Sequence, residues 1–175
     1  MAVVGDTIRN PQTGEEVTFR RTAAETYGER VELDFRVDAH GAPAAVHVHP
    51  RQAEYFDVQA GTLHLTIADR ELTIGPGEGA IVPPAVPHVW RAGDEELRMT
   101  VAFEPALTTE RFFEEFFALA NAGKTKPNGM MRVLDAARVL DGNRDFLYLP
   151  KPPIRLQKAL FRLLAPIGRL VAAPA

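Results

Sequence analysis

Four side chains of metal-binding type are the most informative feature of this sequence. They are His47, His49, Glu54 and His88. Three imidazoles and one carboxylate are the ligand types that suit a divalent transition metal. Because side chains two residues apart on an extended strand point to the same side, His47 and His49 can converge on one ion. The residue types and their spacing therefore predict a metal site. Its four side chains must lie on the inward faces of strands.

The residues after Glu54 alternate in a way that predicts a second strand. Glu54, Phe56 and Val58 fall on one face, and polar residues separate them. A carboxylate that shares an inward face with two apolar side chains would be an unpaired buried charge unless something positive met it. A metal ion would supply that positive partner, which supports Glu54 as a ligand.

His88 follows a rigid segment of the chain, and three further residues are candidates for lining a pocket beside the ion. Three prolines within residues 82–87 precede His88 and fix the backbone at little entropic cost. Trp90 lies two residues further on, hence on the same face as His88, and could wall a pocket beside the ion. Phe56 is a second candidate for lining this pocket, although barrel packing is the role that we favour for both Phe56 and Trp90. His64 alternates with two leucines and either lines the pocket or faces solvent.

Short strand-like segments continue up to about residue 105. Turns rich in Gly and Pro separate them, including one at residues 40–43. Many short strands with frequent turns are typical of a sandwich or closed barrel. The absence of a helix-length amphipathic segment argues against a parallel βαβ arrangement. Alternation of period two marks residues 17–19, 31–37, 63–67 and 97–103.

The pattern becomes helical after Pro105. Thr108 or Thr109 can cap a first helix whose apolar face ends near residues 121–123. A second helix fits residues 130–140, a third apolar stripe begins at residue 154, and a last short segment follows Pro166. We therefore expect a β domain at 1–105 and a helical extension at 106–175. The apolar face of the first helix consists of Phe112, Phe113, Phe116, Phe117 and Leu119.

Charge and cysteine content narrow the functional classes. The net charge is −3, so no overall basic field recruits nucleic acid. Residues 1–105 hold 9 Lys/Arg against 17 Asp/Glu, whereas residues 106–175 hold 11 against 6. These regions of opposite charge can pack on each other or on a partner's copy. Without cysteine, no disulfide can form, and any metal site must use histidines and carboxylates.

The sequence also carries no targeting pattern. The N-terminus is too polar for a signal peptide, and no stretch approaches the roughly 18 consecutive apolar residues of a membrane span. A cytoplasmic location is therefore the expectation.

Residues 41–61 resemble the first motif of the cupin superfamily at its defining positions, namely Gly41, His47, His49, Glu54 and Gly61. The second motif is matched at Gly77, Pro83 and His88, but Ala85 and Ala92 stand where it has glycine and asparagine. The resemblance covers roughly residues 30–105. It implies a mainly β fold, a double-stranded antiparallel β-helix or jelly-roll barrel with a divalent metal in its mouth, followed here by C-terminal helices. Because a left-handed turn tolerates alanine worse than glycine, we expect the turn at Ala85 to differ.

The predicted ligands limit which metal ions can bind but do not identify a single one. Four protein ligands close a tetrahedral zinc site, whereas an octahedral site keeps two positions open. We therefore favour iron, manganese or nickel, with zinc, copper and cobalt also open.

A phenol, enol or hydroxyketone could chelate such an ion and become acidic. Glu54 would then serve as ligand and general base, as is thought for the quercetin-dioxygenase-like cupins that this chain resembles. The predicted function is a metal-dependent dioxygenase for a phenolic or enolic small molecule. The alternatives are an isomerase or polyketide-cyclase-type enzyme that uses no oxygen, and a non-enzymatic cupin that binds metal or a small ligand.

The helical extension leaves two interpretations. Its Phe-rich first helix and the basic amphipathic segment 154–170 could lie on a membrane surface. Such faces more often cover a core or a second subunit, and packing is the interpretation that we favour. A helix of this region could also cover the barrel mouth. We expect a homodimer with a small-molecule substrate and no nucleic-acid partner, since no helix-turn-helix pattern is present.

Overall fold

The computed structural model describes residues 2–41 and 45–172 of the chain. Part of the predicted turn at 40–43 lies outside the described residues, as do Met1 and 173–175. Nine strands precede three helices in the described part. The strands are β1 Thr7–Asn10, β2 Glu15–Arg21, β3 Val31–Val37, β4 Ala53–Ala60, β5 Leu63–Ile67, β6 Arg70–Ile74, β7 Gly79–Val82, β8 His88–Ala92 and β9 Leu97–Glu104. The helices are α1 Thr109–Asn121, α2 Val133–Gly142 and α3 Ile154–Ala172.

The strands form two antiparallel sheets that face each other. The larger sheet has the order β1-β2-β3-β9-β4-β7, and the smaller has the order β6-β5-β8. Leu33, Val101 and Phe56 are in register across β3, β9 and β4, and all three side chains are buried. The edge of the Phe35 ring meets Trp90 of the smaller sheet at a centroid distance of 6.0 Å. The mainly β fold with C-terminal helices that the sequence predicts is therefore confirmed.

Helix α1 closes one side of the interior with its phenylalanines. Phe113 lies 5.7 Å from Phe35, measured between ring centroids, so the helix packs on the larger sheet. Neither predicted capping residue caps the helix with its side chain: Thr108 makes no such bond, and the Thr109 hydroxyl donates to the Ala106 carbonyl.

A buried glutamine holds the start of α1 against the barrel. The Gln52 side-chain amide donates to the Pro105 carbonyl at 2.8 Å and to the Thr109 hydroxyl at 2.9 Å. Gln52 precedes β4 by one residue, so the same segment that presents Glu54 also fixes the helix.

Helices α2 and α3 differ from the sequence prediction in two details. Helix α2 begins at Val133 and not at Met130, because Met131 forms an isolated bridge with Thr125. Helix α3 continues through Pro166, so the prediction of a separate last segment is wrong. Packing on both sides of the exposed proline explains this continuity, since Ala165 is fully buried and Gly168 lies against α2.

Helix α3 keeps an apolar stripe on its outer side. Within residues 2–41 and 45–172, no helix has the length and apolarity needed to cross a membrane. The homodimer and the bounds of the two predicted regions stay predictions. The exposed stripe consists of Leu156, Leu160, Leu163, Ile167 and Leu170.

The turn before β8 holds an alanine in a left-handed conformation. Ala85 has a φ of 64°, and its backbone N–H donates to the His49 carbonyl at 2.8 Å. The resemblance expects glycine at this position, and the conformation is the one that favours glycine. The turn geometry is therefore kept, and the alanine carries the strain.

Replacing this alanine with glycine is expected to stabilise the protein. Ala85→Gly should raise the free energy of unfolding by about 1 kcal/mol, because a left-handed residue with a Cβ is strained by about that amount. The matched control is Ala118→Gly at an exposed site within α1, which should lower it by about 1 kcal/mol. Urea denaturation of the wild type and the two variants measures both changes in the free energy of unfolding. A lower stability of Ala85→Gly would contradict the proposal that Ala85 is strained.

Candidate metal centre

The three histidines come from two chain segments that pair through their backbones. His47 and His88 exchange two N–H···O=C hydrogen bonds of 3.0 Å, forming an isolated antiparallel bridge. Val48 exchanges two more with Tyr148 of the helical extension. Val48 is buried and Val46 is 46% exposed, and isolated bridges take the place of a regular strand at His47 and Val48.

The four predicted ligands meet at one point in the interior. All four residues are buried, and one ligand atom from each lies within 4.8 Å of the others. Glu54 reaches this point from β4, with Phe56 and Val58 buried on the same face, as the alternation predicts. We call His47, His49, Glu54 and His88 the four-ligand cluster.

Backbone carbonyls orient each imidazole of the four-ligand cluster. A carbonyl can only accept a hydrogen bond, so each Nδ1 must carry a hydrogen and donate it. The remaining Nε2 atoms of the three rings then face the centre, which is the arrangement that metal-binding histidines use. The three Nδ1 bonds run from His47 to Ala45 at 2.7 Å, from His49 to Phe146 at 2.5 Å and from His88 to Val86 at 3.0 Å.

Burial and mutual contact set the charges of the cluster. Burial alone would raise the pKa of Glu54, but contact with the His49 and His88 imidazoles outweighs it and holds this pKa well below its ordinary range. Burial would lower the pKa of His88, yet the hydrogen bond to Glu54 and the Glu54 charge raise it. Burial, with the neighbouring imidazoles, lowers the pKa of His47 to about 3. The cluster therefore offers an ionised carboxylate and a neutral His47 at neutral pH.

The hydrogen bonds inside the cluster are incomplete in a way that fits a cation. The buried His49 Nε2 atom has no hydrogen-bond partner among the residues that the structure describes, although Glu54 Oε2 lies 3.4 Å away. His88 Nε2 lies 2.7 Å from the same Glu54 oxygen, so these two groups share a proton. A divalent cation at the centre would give His49 its partner and replace that shared proton. The donor set therefore fits a divalent metal.

An apolar cavity of about 210 Å³ adjoins the cluster. Trp90 is one of the residues that line it. Phe56 does not, because its side chain lies buried in the core between the sheets. His64 does not either: it is half-buried, and its Nδ1 lies 3.4 Å from the Thr73 hydroxyl. The cavity includes seven phenylalanines of the described residues, namely Phe35, Phe103, Phe112, Phe113, Phe116, Phe146 and Phe161.

The cavity wall holds a second carboxyl, that of Glu15, which the ligand motifs do not include. Glu15 lies at the start of β2 with its side chain buried, and the Thr13 hydroxyl donates to its Oε2 atom at 2.6 Å. Burial raises the pKa of Glu15 to about 7, with the Thr13 bond acting in the opposite direction. The sequence does hold a sign of this burial, because Glu15 alternates with Val17 and Phe19 just as Glu54 alternates with Phe56 and Val58.

Removing one imidazole of the four-ligand cluster should strongly weaken metal binding. His49→Ala should weaken the affinity for Ni²⁺ or Mn²⁺ by at least about 100-fold, since a direct ligand is lost. His64→Ala is the matched control and should bind like the wild type, because His64 lies outside the cluster. Calorimetric titration of metal-free protein measures both affinities. Equal losses in the two variants would contradict the assignment of the centre.

The raised pKa of Glu15 should appear in the pH dependence of stability. Because the folded-state pKa lies above the unfolded value of 4.5, the folded state holds the proton more tightly. This contribution is full below pH 4.5 and is lost as pH rises through about 7. Over that window, metal-free wild type should lose about 3 kcal/mol of unfolding free energy relative to Glu15→Gln. Urea denaturation across pH checks this, and parallel profiles would contradict the buried carboxyl.

Comparison with known proteins gives a family match for part of the strand-forming region. Residues 34–103 match the family described as Cupin domain. No curated protein matches the sequence. KdgF from a Halomonas species has a TM-score of 0.50 at 16% identity, covering 57% of this chain and 87% of its own.

Two further solved structures are similar at slightly lower scores. An RmlC-like cupin from Shewanella frigidimarina has a TM-score of 0.49 at 20% identity, covering 57% of this chain and 83% of its own. The polyketide cyclase RemF from Streptomyces resistomycificus has 0.49 at 21%, covering 61% and 80%. The likeness to KdgF concerns the fold alone. Residues 34–103 thus match the Cupin domain family, and the strands have a fold similar to that of KdgF.

Proposed function

We propose that this protein is a divalent-metal-dependent dioxygenase that acts on a small phenolic or enolic molecule. The observation that carries the proposal is the position of the four-ligand cluster on the wall of an aromatic cavity. Metal ligands and a space for an organic molecule thus lie side by side. The cupin fold hosts many reactions, so the proposal depends on this site and not on the fold.

The cavity wall favours a flat, apolar substrate. Phe35 contacts both Trp90 and Phe113 edge to face, with centroid distances of 6.0 and 5.7 Å. Aromatic rings of a substrate can join such arrangements by edge-to-face or offset stacking. The same rings exclude water from the reacting atoms.

Glu54 is the residue that would move the proton. A metal ion in the cluster would act as a Lewis acid towards a substrate that chelates it through two oxygens. Glu54 is ionised, and its Oε2 atom lies at the centre of the cluster, where a chelating hydroxyl would meet it. A carboxylate in this position can accept the hydroxyl proton while the imidazoles stay fixed by their Nδ1 bonds.

The reaction needs no reductant besides the substrate. In a dioxygenation, both atoms of O₂ enter the organic product, and the substrate supplies the four electrons that reduce them. The enolate formed by proton transfer to Glu54 is the electron-rich carbon nucleophile that such a step consumes. The protein itself undergoes no net redox change.

Oxygen uptake by metal-reconstituted protein tests the proposal. We expect protein loaded with Fe²⁺, Mn²⁺ or Ni²⁺ to consume one O₂ per substrate lost with at least one flavonol, acireductone-like diketone or catechol. Labelled O₂ should place both oxygen atoms in the product, as mass spectrometry can measure.

Glu54→Gln is the matched variant for this test. The amide oxygen still faces the metal, so metal content should fall only modestly, but turnover should fall by at least about 100-fold because an amide cannot accept the proton. Turnover under strict anaerobiosis would contradict dioxygenation and support an isomerase or cyclase. If these compounds bind tightly but are not turned over with any of the metals, the proposal that the protein is an enzyme is contradicted.

A further inference from the structure

We propose that Glu15 and Thr13 form a second polar subsite in the cavity, which binds a hydroxyl or carbonyl oxygen of an elongated substrate whose other end chelates the metal. The inference rests on the proposed function, because it assumes that the four-ligand cluster holds the reacting end. It adds the class of substrate: an apolar molecule with a chelating group at one end and a hydrogen-bonding oxygen at the other. We call Glu15 and Thr13 the distal pair.

Strand register separates the distal pair from the metal centre. Glu15 pairs with Val37, the last residue of β3. Glu54 is level with Phe103, which in turn pairs with Val31, the first residue of β3. The two carboxyl groups therefore lie at levels that differ by the whole length of β3, yet both line the same cavity.

Aromatic side chains line the cavity between these levels. Phe35 is two residues from Val37 and meets Trp90 and Phe113 through its ring. Phe113 in turn lies 6.2 Å from Phe103, between ring centroids, and Phe103 is level with Glu54. An apolar middle section flanked by two polar ends calls for a ligand with the same order of groups.

In the described part of the chain, the Glu15 carboxyl makes one hydrogen bond, through Oε2, which leaves Oε1 for a ligand. The Thr13 hydroxyl donates to Oε2, and within residues 2–41 and 45–172 no lysine or arginine forms an ion pair with Glu15. Burying a carboxyl without a charged partner lowers the stability of the folded protein. Such a group is typical of a functional site.

The helical extension encloses this end of the cavity. Gly129 packs so closely that a Cβ there would lie 3.2 Å from Thr13 Cγ2, and the Thr125 hydroxyl donates to the Gln12 side chain. Asn128 and Met130 of the same loop line the cavity. The distal pair is thus shielded from bulk solvent, which strengthens a hydrogen bond formed there.

The protonation state of Glu15 defines what it can bind. Its pKa of about 7 leaves the carboxyl neutral in mildly acidic solution, where Oε1 can donate to a hydroxyl or carbonyl oxygen. A site built around a buried donor discriminates strongly against an analogue that lacks the matching oxygen.

Bifunctional chelators test the distal pair independently of turnover. The probes are linear alkyl hydroxamic acids of increasing chain length, each made with a methyl or a hydroxyl end. The hydroxamate chelates the metal of Ni²⁺-loaded protein, and calorimetry measures affinity at a pH below the pKa of Glu15. At one chain length, the terminal hydroxyl should improve affinity by about 10-fold, the effect of one hydrogen bond to a buried group.

Variants at Glu15 decide whether this gain comes from the distal pair. Glu15→Leu should remove the gain while methyl-ended hydroxamates keep their affinity, which shows that the metal end is intact. Glu15→Gln should retain most of the gain, because an amide also donates and accepts, and it serves as the folded reference. Glu16→Gln is the matched control, since Glu16 alternates to the other face of β2, and it should behave as the wild type.

The inference is overturned if no chain length shows a gain from the hydroxyl, or if the gain survives in Glu15→Leu. Failure of the proposed function would look different. In that case hydroxamates would still show the length-dependent gain, while no substrate of the oxygen-uptake panel would be turned over.

Discussion

The burial of an ionised carboxylate, Glu54, is the constraint on which the site depends. Such a charge inside a wall of Phe and Val costs on the order of several kcal/mol unless opposite charge meets it. The imidazoles of His49 and His88 meet it with one edge, and backbone carbonyls hold their other edge. The His88 ring is therefore held at both edges before any ion arrives, and the Nδ1 bonds orient the rings of His47 and His49. Ligands ordered in this way lose little conformational freedom when they bind a metal.

The aromatic cavity and the charged cluster reinforce each other. Low polarity around the cluster strengthens the interactions among its charges, and the phenylalanines that create this low polarity come partly from α1. Gln52 holds the start of α1 against the barrel one residue before β4. The wall that surrounds a substrate is thus positioned by the same chain segment that presents the carboxylate.

The sequence predicts the ligands better than it predicts the cavity, and the reason is physical. Alternation fixes the face of Glu54 and its neighbours, because a strand has only two faces. Alternation does not show how close to the cavity a side chain lies. The sequence pattern alone therefore cannot distinguish Trp90, which lines the cavity, from Phe56 and His64, which do not. Pro166 ends a helix by local preference, but packing of α3 on α2 overrides that preference. Glu15 alternates with apolar residues as Glu54 does, but no histidine lies near Glu15 in the sequence to indicate a site.

The contact between His49 and the Phe146 carbonyl joins the extension to the metal centre. The adjacent backbone pairing of Val48 with Tyr148 strengthens this link. Docking of the helices and metal affinity are therefore two halves of one thermodynamic cycle. Whatever free energy the docked extension adds to metal binding, the bound metal must add equally to docking. Although the sequence divides into a β region and a helical region, hydrogen bonds join the two regions directly beside the metal centre.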